Sequence, residues 1–105
     1  MSGLWIVRFS GPMGGGAGVV YFTDREVFGG DTGFKYIGSY ESNGSSIVAN
    51  LRITQHTPGT ISVFGSTQSF DLKITGTVTG NTMNGQGVAS HAPGQAFKVN
   101  LERAV

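Results

Sequence analysis

A chain of 105 residues with 18 Gly, 3 Pro and no Cys makes one domain, too short for two cores. Without cysteine it holds neither a disulfide framework nor a thiolate site, and glycine, costly in helices but useful at turns, favours an all-β fold. The formal net charge of +1, on Lys and Arg scattered along the chain, offers no basic stripe for a phosphate backbone, so nucleic-acid binding is not expected.

Leu4-Trp5-Ile6-Val7-Arg8-Phe9 opens the chain without the basic flank or uninterrupted apolar core of a signal peptide, and it reads as a first strand over residues 4–10. No run approaches the roughly 20 apolar residues of a membrane helix, so a cytoplasmic protein without membrane contact is expected. Trp5, Val7 and Phe9 line one side of this strand, Leu4 and Ile6 the other. Gly11-Pro12-Met13-Gly14-Gly15-Gly16 reads as a loop. The glycine run does not match a phosphate-cradling motif, which needs a following helix with its amides turned to the anion; a strand over 16–23 follows instead. Asp24-Arg25 turns the chain into a third strand at 26–29.

Phe34, Tyr36, Gly38 and Tyr40 alternate with Lys35, Ile37, Ser39 and Glu41, a half-buried fourth strand over 34–41 with its aromatic side inward and a bend at Gly38. Asn43-Gly44 then supplies the positive φ of a tight hairpin. The fifth strand, 46–54, buries Ile47, Ala49, Leu51 and Ile53. His56-Thr57-Pro58-Gly59 breaks the pattern, and 61–65 is an extended piece or a wide loop. Strands at 70–78, 82–89 and 97–102 complete eight, with Gly80-Asn81 as a turn and Met83, Gly85, Gly87 and Ala89 on one narrow side. Eight successive antiparallel strands close most economically as an up-and-down barrel, which leaves no sheet edge; a two-sheet sandwich is the alternative. The interior of such a barrel admits side chains or one small ligand. Trp5, Phe9, Phe34, Tyr36, Tyr40, Phe70 and Phe97 are the candidate lining.

Chemistry-bearing groups are sparse. The two histidines, His56 and His91, sit apart in loops without zinc-ligand spacing, so no metal or cofactor is expected. No acid, base and nucleophile set assembles from the sequence, which points away from an enzyme. Asp31, ahead of Thr32-Gly33, reads as the cap of an Asx turn. Strands one and two are apolar on both sides, so one face is left outside the barrel. Leu4, Ile6, Val20 and Phe22 are assigned to that face, as a homodimer contact; the loop at Met13 is the alternative cover.

Gly16-Ala17-Gly18-Val19-Val20, Phe28-Gly29-Gly30-Asp31 and Tyr36-Ile37-Gly38-Ser39-Tyr40 together resemble the pattern of the GrlR-like family, negative regulators of type III secretion gene expression. The likeness covers mainly residues 3–54. It implies a lipocalin-like, dimeric eight-stranded barrel with an apolar cavity, acting as a regulator by binding a transcriptional activator rather than DNA. The family carries an acidic run, Glu-Asp-Glu-Asp, after the Tyr-x-Gly strand. This chain has Tyr40-Glu41-Ser42-Asn43-Gly44 there, so the implied partner contact falls on Glu41 and Asn43 with one acid left. A carrier or sensor of a lipid or other small apolar ligand is the second expectation.

Overall fold

The computed structural model describes residues 2–11, 14–59 and 69–105. Eight strands follow one another: β1 Gly3–Gly11, β2 Gly14–Phe22, β3 Glu26–Gly30, β4 Phe34–Asn43, β5 Ser46–Gln55, β6 Phe70–Thr79, β7 Thr82–Ala89 and β8 Phe97–Arg103. Each pairs antiparallel with the next, and β1 pairs with β8, so the sheet closes into an up-and-down barrel. Closure provides every strand with two neighbours and excludes the sandwich.

Two tight turns set the register of the β4–β5 and β6–β7 hairpins. Asn43 pairs with Ser46 and Thr79 with Thr82, leaving Gly44-Ser45 and Gly80-Asn81 as two-residue loops. In each the first residue is glycine at positive φ, 64° and 62°, and the second is not. That is the type II′ arrangement, whose twist matches the flanking strands. The β4–β5 turn is thus centred one residue later than Asn43-Gly44. The short β2–β3 connection is tied by Thr23, whose amide donates to the Glu26 carbonyl at 2.9 Å.

Inside, alternate residues of all eight strands form one apolar core, and no polar or charged side chain is buried among the described residues. Trp5, Phe22 and Tyr40 make a chain of edge-to-face rings at 6.2 and 5.1 Å, and Phe9 meets Tyr36 at 5.9 Å. This geometry adds to area burial. Space for the large rings comes from glycine. Gly16 faces Phe9 and Gly18 faces Val7 across the β1–β2 ladder, and a Cβ on Gly18 would lie 3.0 Å from the Tyr36 hydroxyl.

Gly11, Gly14 and Gly15, expected as loop, therefore belong to strands, Gly11 to β1 and the other two to β2, which runs on to the pair Gly11↔Gly14. The same register corrects the outer face. Residues directly opposite each other in a ladder share a side. Val20 is paired with Trp5, and Phe22 lies two residues further along β2, so both point inward, with about 3% of their surface exposed. They are core residues and not a dimer contact. Outside stand Val19 and Tyr21, next to Ile6 and Leu4. The segment 61–65 and the Met13 loop lie outside the described residues.

Candidate functional site

The outer surface carries the feature that needs explaining. Leu4 pairs with Tyr21, Tyr21 with Phe28, and Phe28 with Ile37, so one cross-strand row is apolar over four strands. Ile6 and Val19 form a second pair beside it. Tyr21 and Val19 are each 45% exposed, Phe28 40% and Ile37 52%, while Leu4 and Ile6 are half-buried. The Tyr21 and Phe28 rings lie 5.9 Å apart. Such contiguity separates this patch from the scattered apolar residues normal on any surface.

Charges bracket the patch. Along the outer side of β4 the order is Lys35, Ile37, Ser39, Glu41, with a base at one end and an acid at the other. Glu26 lies beside Ser39 at the acidic end. Beyond Ile37 the row continues to Arg52 and then Asp71, which form an ion pair at 3.1 Å. Both partners are largely exposed, so the bridge contributes at most about 1 kcal/mol. Ile37, Arg52, Lys73, Val88 and Pro93 line an open groove of about 540 Å³ at this end.

Among the described residues the interior offers little room. All seven aromatics expected to line a cavity, Trp5, Phe9, Phe34, Tyr36, Tyr40, Phe70 and Phe97, are buried in the core. The void enclosed beside Val7, Phe22, Ile74 and Met83 measures about 20 Å³, space for about one water-sized sphere. Pockets for small molecules run to several hundred cubic ångströms, roughly 300 or more. Among the described residues, the inward side chains form a filled core.

At the β3–β4 end, Asp31 organises the mouth. Its Oδ1 accepts from the amides of Gly33 at 2.9 Å and Phe34 at 2.8 Å, the expected Asx turn. Its Oδ2 accepts from the Tyr36 hydroxyl. Burial and, after it, this bond to Asp31 push the Tyr36 pKa far above the ordinary tyrosine range. From the end of β5, His56 Nε2 reaches the Asp31 carbonyl at 3.0 Å and Nδ1 meets Thr57 Oγ1 at 2.7 Å. A carbonyl only accepts, so Nε2 is the donor. With both carboxylate oxygens engaged, Asp31 is a structural tie between turn, core and β5. The partnership with residues Tyr36 and His56 had no signal in sequence, because it depends on how three strand ends meet.

The remaining histidine, His91, packs edge-on against Phe70 at 4.9 Å. No group of three potential metal ligands occurs among the described residues. Glu41 and Asn43 are both exposed at the tip of β4. Near them Asp24, Arg25, Tyr40 and Ser42 line a polar recess of about 300 Å³ with Glu41; the Tyr40 hydroxyl donates to the Thr23 carbonyl, fixing the tip to the β2–β3 turn. No known family model matches the chain, and no curated protein matches it.

Proposed function

We propose that this chain is a non-enzymatic binding protein that works through protein–protein contact on the outside of its barrel, with a second copy of itself as the first partner. The contiguous apolar row Leu4–Tyr21–Phe28–Ile37 carries the proposal, because a patch of this kind on a closed barrel costs free energy until another surface covers it. The pattern is also self-complementary. A twofold axis near Ile37 and Ser39 sets Lys35 of one copy opposite Glu41 of the other, on both sides of an apolar centre, the residue arrangement an isologous contact requires.

Resemblance to GrlR-like regulators gives this dimer a role as a cytoplasmic, lipocalin-like regulatory protein that would hold a transcriptional regulator by contacts at Glu41 and Asn43. With a single acid in the stretch from Tyr40 to Gly44, charge steering of a basic partner is weaker than an acidic run provides. The filled interior favours surface contact over carriage of an apolar ligand.

Sedimentation equilibrium of the purified chain and of Ile37→Glu tests the proposal. The parent is expected at twice the chain mass and the variant at the single-chain mass, each with an unchanged β spectrum. A parent that stays monomeric at high concentration would sink the self-association.

A further inference from the structure

We infer that Asn43 is a site of spontaneous deamidation, through which the folded protein gains a negative charge at its exposed β4–β5 tip. Two Asn-Gly steps occur in the chain, Asn43-Gly44 and Asn84-Gly85. A following glycine presents its amide nitrogen without a neighbouring Cβ in the way, so composition alone makes the two equivalent. The barrel does not.

Asn43 is exposed, and Gly44 begins a two-residue loop at φ 64° with open space around its Cα. The Gly44 N–H takes no backbone hydrogen bond among the described residues. Asn43 itself is the last rung of the β4–β5 ladder, opposite Ser46, and beyond Gly44 the Ser45 carbonyl accepts from the Val78 amide at 2.8 Å. Asn84 and Gly85 instead lie mid-strand in β7. Asn84 is paired with Thr77 and Asn100, and Gly85 with Gly76 and Val99. Gly85 is also pressed against β6, where a Cβ would come within 2.2 Å of the Thr75 carbonyl oxygen.

The chemistry needs only water. The Gly44 nitrogen, losing its proton, attacks Asn43 Cγ; the bond from Cγ to the side-chain nitrogen breaks and ammonia leaves, closing a succinimide ring. Hydrolysis at either ring carbonyl gives aspartate or isoaspartate, with no oxidant or reductant. At Asn43 the ring forms by local rearrangement of an exposed turn. At Asn84 the same ring requires opening a ladder paired on both sides, and opening free energies are highest in such core strands. Conversion at Asn43 takes the formal net charge from +1 to zero and places a second acid two residues from Glu41.

The test follows the folded protein through prolonged incubation at neutral and mildly alkaline pH, with peptide mass spectrometry at both asparagines. A urea-unfolded sample serves as reference, and Asn43→Asp marks the ion-exchange position of the product. Expected is conversion at Asn43 at least about tenfold faster than at Asn84 in the folded protein, rising with pH, with comparable rates at the two sites in urea. Equal rates in the folded protein would overturn the inference, and so would an Asn43 that stays intact while the unfolded chain converts.

Discussion

The Tyr36 hydroxyl, inside the barrel wall, donates to Oδ2 of Asp31 in the β3–β4 turn, so that a core ring and a surface turn share one hydrogen bond. Tyr36 is almost fully buried, and its raised pKa follows from burial and then from the anionic partner. Unfolded tyrosine releases its proton near pH 10, whereas folded Tyr36 holds it. Above that pH the folded state binds more protons than the unfolded one, so stability falls as pH rises, and below it the contribution is fully present. Tyr40, shifted the same way by burial and then by Asp24, adds in the same direction.

Tyr36→Phe should therefore cost about 1–3 kcal/mol near neutral pH, the penalty for leaving the carboxylate oxygen without its donor, and should flatten the alkaline limb. Urea midpoints of parent and variant near neutral pH and at about pH 11 measure both effects. An equal loss for the two proteins on going alkaline would show that Tyr36 does not set the limb.

Two glycines matter for opposite reasons. A Cβ on Gly38 would stand 1.9 Å from the Asn50 carbonyl oxygen, backbone that cannot move aside without disturbing the β4–β5 ladder. Gly38→Ala is expected to cost at least about 1–3 kcal/mol, as overpacking does. Gly44 has open space but a positive φ, so Gly44→Ala should cost about 1 kcal/mol. Thermal denaturation of the two variants ranks them, and a Gly38→Ala melt above that of Gly44→Ala would contradict the close approach.

Neighbouring residues of β2 should answer the same substitution differently. Phe22 packs edge-on against Trp5 and Tyr40 in the core, so Phe22→Glu should lose at least about 3 kcal/mol and leave little folded protein. Tyr21 stands outside, and Tyr21→Glu should alter intrinsic barrel stability by no more than about 0.5 kcal/mol while weakening self-association. Denaturation curves beside solution mass separate the two effects. A Tyr21→Glu protein that unfolds would place its ring in the core.

Alternation was enough to read most of the barrel. In β4 and β5 polar residues mark the outward positions except at Ile37 and Val48, so the inward set from Phe34 to Tyr40 and from Ile47 to Ile53 followed directly. In β2 Val19, Val20, Tyr21 and Phe22 are all large and apolar. A run without a polar marker fits either side, and a slip of one residue exchanges core and surface. Its side is fixed by partners that carry no side chain, Gly16 and Gly18 opposite Phe9 and Val7. Gly11, Gly14 and Gly15 looked like loop for a related reason: in a narrow, curved barrel, glycine inside a strand admits rings and curvature. The Asx turn at Asp31 was legible because it is local. The bond to His56 was not, since 25 residues separate the pair.

The most direct test of the outer face as a twofold contact is a charge exchange at Lys35 and Glu41, which bracket Ile37 on β4. Sedimentation equilibrium of Lys35→Glu, Glu41→Lys and the double variant reads the dimer dissociation constant. Each single reversal is expected to weaken the dimer, by up to about tenfold for exposed pairs, and the double variant to return toward the parent value. Losses that simply add in the double variant, or a parent without a dimer, would contradict the twofold contact.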